Sequence, residues 1–291
     1  MVCVSIDRIS KFPLTVRLIT DYLEKIKPQI KVQLIEPIPT PIRYPTNIYQ
    51  SPTPMPNFLT AKWENLIMAN YAVPPAVLTP YLPKGVELDF YEGQTYVSLV
   101  GFMFRDSRIF SVPIPVFGTF EEINLRFYVK RKVGDEWRRG VVFVSETVPS
   151  KVVAFIANYL YKEHYVSVPT KHTLTTVENT KQIKYEWKLE NTWNHISVDA
   201  LTAGNAMQDG GVEEFIFEHY YGYTKIDIAK TEEYKILHPR WNVHQVVKYE
   251  IKCDFAAMFG VDFSFLQTAR PDSIMLAEGS SIAVEWQRVR I

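Results

Sequence analysis

The chain has 291 residues, of which 47% are hydrophobic and 14% aromatic; that is enough apolar material for one large core or two smaller ones and excludes disorder of the whole. Lysine plus arginine equals aspartate plus glutamate at 32 each, so no net field draws the chain to nucleic acid or to an anionic membrane, and neither partner is expected. Cys3 and Cys253 are the only cysteines, outside any CxxC spacing, which speaks against a disulfide framework or a thiolate metal site and fits a reducing cytoplasm.

In chain order, the first residues interleave Asp7, Arg8, Lys11 and Arg17 with apolar side chains, leaving no uninterrupted apolar region of signal-peptide type. Leu14, Leu18, Ile19, Tyr22, Leu23 and Ile26 then recur at helical spacing, so one amphipathic helix is expected within 12–30. Pro37, Pro39, Pro41, Pro45, Pro52, Pro54 and Pro56 follow, removing backbone donors and fixing φ, so this stretch reads as an extended linker. Residues 1–56 are therefore taken as an N-terminal extension, either an upstream addition ahead of Met55 or a docking arm, and 57–291 as the folded domain. The uncharged run 66–83 carries Pro74, Pro75, Pro80, Pro83 and Asn70, unsuited to a membrane-spanning helix, and a soluble protein is expected.

From residue 58 onward strand patterns dominate. Hairpins are predicted over 86–104 with Gly93 at the turn, over 122–147 across Gly134-Asp135, and over 183–200 with Glu190-Asn191-Thr192 at the turn. Two helices interrupt them, one capped by Ser150 and running to about His164, the other following Gly210-Gly211 over 213–223. Long strands are expected over 234–254 and 282–290.

The segment Phe120–Val129, FEEINLRFYV, splits by alternation into two opposed faces. Ile123, Leu125, Phe127 and Val129 form an apolar row, while Glu122, Asn124, Arg126 and Tyr128 form a polar row that faces either solvent or a lumen. In a lumen, Glu122 and Arg126 could orient a polar ligand by charge-assisted hydrogen bonds; on a surface the row amounts to weak cross-strand pairing. A second cluster, EEFIFEHYYGYT, would place Glu218 and His219 on a helix among phenylalanines and tyrosines, including Tyr223. The rings read first as core packing, the phenols as candidate pocket tips, and His219 as either an acid/base or a structural donor. In LHPRW, His238 and Trp241 form a pocket rim or a turn; His238 and His244 would lie about 20 Å apart in an extended chain, so no metal site follows from them. No GxSxG, GxxxxGK or GxGxxG motif is present, and no cofactor is expected.

The order of PNFLTAKWENLIMANYAV, YLPKGVELDFYEG, FEEINLRFYV, RRGVVFV, EEFIFEHYYGYT and LHPRW resembles the DUF2071 family, also called YqjF-like, over roughly residues 55 to 290. The family is grouped with the acetoacetate-decarboxylase-like fold, so the resemblance implies a mostly β (α+β) architecture: an antiparallel, barrel-like double sheet with a few packing helices and an internal cavity. Such decarboxylases use paired lysines, one forming a Schiff base. The matching position here is Lys162, followed by Glu163, and a carboxylate neighbour raises a lysine pKa rather than lowering it. Their first-strand arginine falls near Ala72, while their cavity acid corresponds to Glu122. The reading is a cytoplasmic protein whose pocket binds a small organic molecule bearing a carboxylate or carbonyl, with Asn124, Arg126, Tyr128, Glu218, His219, Tyr223, His238 and Trp241 as candidate contacts. Two alternatives stay open: a lyase or hydratase acting on a keto acid through Glu122, and an interaction protein docking through residues 1–54, for which a homo-oligomer is one arrangement.

Overall fold

A computed structural model describes residues 57–113, 118–161, 164–285 and 288–291. Its first strand, β1 (Asn57–Val73), runs through the middle of the sheet between β3 (Thr95–Ile109) and β14 (Ser273–Glu285). The uncharged run 66–73 is thus a central strand, buried along its length because it is covered on both faces. A bulge at Asn65, which adopts φ +53°, interrupts the pairing of β1 with β3 and bends β1 where Gly279 of β14 faces Glu64. Gly279 has φ +83°, and a Cβ there would meet the Trp63 carbonyl oxygen at 2.0 Å, so the bend requires glycine.

The strands β12 (Lys230–Leu237), β11 (Tyr221–Asp227), β6 (Glu136–Val148), β5 (Phe120–Val133), β3, β1 and β14 follow one another, and β12 pairs back to β14 through Ile236↔Val284 and Leu237↔Ala283. The sheet therefore curls into a barrel-like form. Beyond β14 it continues through β13 (Asn242–Lys252), β10 (Thr192–Ala206), β9 (Thr180–Leu189) and β8 (Thr170–Val177). This second part packs over the curl: Ile123, Leu125 and Phe127 share a core with Tyr185, Trp187 and Ile196, and Gly101 leaves room for the Tyr185 ring. Short strands β2 (Glu87–Leu88), β4 (Val112–Pro113), β7 (Tyr165–Ser167) and β15 (Val289–Arg290) complete the sheet. The helices are α1 (Pro75–Leu78), α2 (Lys151–Tyr161), α3 (Val212–Phe217) and α4 (Phe255–Phe259). No described helix is long and apolar enough to cross a membrane.

The fold is mostly β and barrel-like, as expected, and the β5–β6 and β9–β10 hairpins turn where predicted. Three elements differ. The 86–104 hairpin reduces to a Tyr91↔Gln94 bridge, because β2 pairs with β5 and β3 pairs with β1. The helix expected over 213–223 stops at Phe217, and Tyr221–Asp227 joins the sheet beside β6 and β12. The 234–254 strand breaks at 238–241, where Pro239 removes a ladder donor. The helix and linker expected in residues 1–56 lie outside the described residues.

Candidate functional site: a cavity in the barrel-like lumen

The apolar row of β5 packs against the second part of the sheet, so alternation turns the polar row inward. Glu122 and Asn124 are buried, and with Arg126 they line a cavity of about 120 Å³. The wall beside this row is aromatic, with Phe102 the cross-strand partner of Glu122 and Phe104 that of Phe120. Trp63, Phe102, Phe104 and Phe120 form a contiguous ring cluster with centroids 4.9 to 5.8 Å apart. Val153 and Ala157 of α2 close one side, four residues apart on one helix face. The helix is held by the Ser150 hydroxyl, which accepts from Val153 N at 3.3 Å, and by Asn158, which exchanges two hydrogen bonds with the Tyr165 backbone at 2.9 and 2.7 Å.

The polar groups divide into two sets. Glu122 Oε1 accepts from Asn124 Nδ2 at 3.0 Å and Oε2 from the Tyr165 hydroxyl at 3.2 Å. Glu146, also buried, reaches the same wall, and burial together with the Glu122 and Glu146 carboxylates pushes the Tyr165 phenol well above its ordinary pKa, fixing it as a donor. Arg126 leans the other way. Its guanidinium lies 5.7 Å from the Tyr128 ring centroid, and Nη2 donates to the Ile216 carbonyl at 3.4 Å. Glu122 and Arg126 are four residues apart on an extended strand, roughly 13 Å at Cα, which explains why they form no ion pair. The contacts of Arg126 among the described residues are to Met68 Sδ and the Ile216 carbonyl rather than to a carboxylate, and its buried Nε has no hydrogen-bond partner. Trp63 Nε1, Ser107 Oγ and Asn124 Oδ1, all from residues lining the same cavity, are likewise buried without partners.

The remaining candidates lie outside this cavity. Tyr128 is buried beside Arg126 with its hydroxyl 2.5 Å from Ser98 Oγ, which donates to Asn70 Oδ1. Beyond it the His219 ring packs tilted against Tyr128, centroids 4.8 Å apart, and places Nε2 at 3.3 Å from Asp89 Oδ2. Burial lowers His219 to about 4 against the pull of Asp89, and its Nδ1 has no partner. Burial also acts to raise Asp89, yet hydrogen bonds from His219 and from Arg139 at 2.6 Å hold it at about 2. Glu218 caps α3 and accepts from the Tyr220 hydroxyl. Tyr223 sits in the core on β11, donating to the Arg138 carbonyl at 3.1 Å. His238 borders an open groove on the outside of the barrel, stacked on Tyr220 and Trp241, and Trp241 backs Trp63 from behind while donating to Ser280 Oγ at 2.8 Å. Lys162 lies outside the described residues, and no lysine lines the cavity among them. No group of three or more His, Cys, Asp or Glu residues suited to a metal occurs among the described residues.

Residues 60–281 match the model of the DUF2071 family, described as an uncharacterized conserved protein. The chain belongs to the DUF2071 family. A relative is the uncharacterized protein YqjF of Bacillus subtilis (strain 168), 26% identical over 166 residues; the match covers 56% of this chain and 65% of YqjF, just under two thirds of its length. Among solved structures, acetoacetate decarboxylase from Legionella pneumophila superposes with a TM-score of 0.56 at 12% identity, covering 84% of this chain and 93% of that one. An acetoacetate decarboxylase-like enzyme from Sphingomonas wittichii RW1 gives the same score and identity over 84% and 99%. The enduracididine biosynthesis enzyme MppR, complexed with pyruvate, gives 0.54 at 10% identity over 83% and 93%. At such identities the likeness establishes a shared fold and nothing about chemistry.

Within this DUF2071 fold, sequence reasoning found three cavity residues and missed Trp63, Ser107, Glu146 and Tyr165. Glu146 was hidden by a bulge. The β5–β6 register slips between Leu125↔Ser145 and Arg126↔Phe143, so lumen-facing positions change from odd to even along β6. Tyr165 reaches the wall only because β7 pairs in parallel with β6 at Glu146.

Proposed function

We propose that this protein binds a small organic carboxylate inside the barrel-like lumen, with Arg126 as the anion grip. The observation that carries the reading is Arg126 itself: a cavity-lining guanidinium whose buried Nε has no hydrogen-bond partner among the described residues and which no carboxylate there approaches closely enough to pair. A half-buried guanidinium with a donor left unmet is costly, and a bound carboxylate supplies both a counter-charge and the missing acceptor. A protein of the same fold, MppR, is complexed with pyruvate, itself a small carboxylate. Calorimetric titration with small carboxylates tests it. Arg126→Gln is expected to weaken binding roughly 10- to 100-fold, the range of a charge-assisted hydrogen bond; equal affinity in the variant would sink the reading.

One observation favours a second reading, proton-transfer chemistry. The Tyr165 hydroxyl donates to Glu122 beside Glu146, so an acceptor and a protonated donor share one wall. The expected outcome is deuterium uptake from D₂O at the carbon next to the carbonyl of added pyruvate, followed by NMR and abolished by Glu122→Gln. Wild-type protein that leaves pyruvate unlabelled would remove this reading.

A further inference from the structure

We infer that the ligand is an aromatic monocarboxylate about the size of an arylacetate, rather than a two- or three-carbon acid; this rests on the carboxylate reading above. Three properties of the cavity converge on it. Its volume, about 120 Å³, is several times the space of one water and close to that of an apolar void that accepts benzene. A nucleotide or coenzyme is far too large, whereas a two- or three-carbon acid leaves much of the wall uncontacted.

The second property is the wall itself. Trp63, Phe102, Phe104 and Phe120 border the void and already pack edge-to-face, tilted and stacked on one another. A ligand ring joins this cluster in the geometry the side chains already use, adding quadrupole contacts to the burial of apolar area. The third is charge. Arg126 is the sole basic residue among the described residues that line the cavity, and the carboxyl groups of Glu122 and Glu146 stand on the same wall. One ligand anion is matched by Arg126, and a second meets two acidic side chains. Dicarboxylates and phosphates are thereby disfavoured.

Titration of the full chain with acetate, pyruvate, phenylacetate, phenylacetamide and phenylmalonate tests the assignment. Phenylacetate is expected to bind at least tenfold more tightly than pyruvate or acetate, and at least tenfold more tightly than the neutral amide or the dianion. Arg126→Gln should erase the preference of acid over amide. Val100→Phe, which projects a ring into the void from a lining position, should weaken phenylacetate at least tenfold more than it weakens acetate. Pyruvate or acetate binding as tightly as phenylacetate, with Arg126 still required, overturns the aromatic assignment and leaves the carboxylate reading standing. Acid and amide binding equally overturns the carboxylate reading, and no binding of any member overturns both.

Discussion

At the scale of single residues, the protein holds charge under two different regimes. Asp89 is surrounded by Arg139, Lys130 and His219, so its ionised form is satisfied within the protein. Arg126 has no such company, and its needs point to something that enters from outside. His219 carries a pH consequence. Its native pKa of about 4 lies below the ordinary 6.5, so between these values the unfolded chain binds a proton that the native ring refuses, and stability falls as pH drops through that window. The contribution is on the order of 2 kcal/mol between pH 6.5 and 4.5. Asp89 adds nothing there, since its depressed pKa acts only below about 4. Urea denaturation at both pH values should show that slope in the wild type and a correspondingly smaller one in His219→Gln; identical slopes would show that His219 titrates normally.

At the scale of elements, two bulges do more than the turns to shape the site. The bulge at Asn65 follows Glu64, which faces Gly279, and the Asn65 carbonyl accepts from the Tyr185 hydroxyl at 3.0 Å, tying the bend of β1 to the second part of the sheet. Gly279→Ala must place a methyl group against the Trp63 carbonyl in a backbone conformation that disfavours side chains. The expected cost is roughly 2–4 kcal/mol, seen as a Tm lowered by roughly 5–10 °C in scanning calorimetry; an unchanged Tm would show that the bend yields freely. The bulge in β6 has the opposite visibility: nothing in GVVFVSETV announces where the phase of alternation slips, so Glu146 could not be placed inside from the sequence. Helix α3 was over-extended for a related reason. Its aromatic run satisfies helical and strand spacing alike, and pairing with β6 and β12 decides for a strand from Tyr221.

At the scale of the whole molecule, the amino-acid sequence by itself determined the strand-rich class, the two-faced character of β5, two of the hairpins and membership of a family with a barrel-like fold. These are local or pattern properties, carried by alternation, turn residues and the order of short motifs. Only the tertiary structure decided that the polar row faces a lumen, that Trp63, Ser107, Glu146 and Tyr165 meet Glu122 and Arg126 around one cavity, and that His219, Tyr223 and His238 stand away from it. The reason is physical. Which face of a strand is inside depends on the partner that covers the other face, and β9 and β10, which cover it, lie some 60 residues downstream of β5. Curling the sheet until β12 meets β14 then brings together side chains from strands far apart in the chain, and no periodicity within any one strand records that closure.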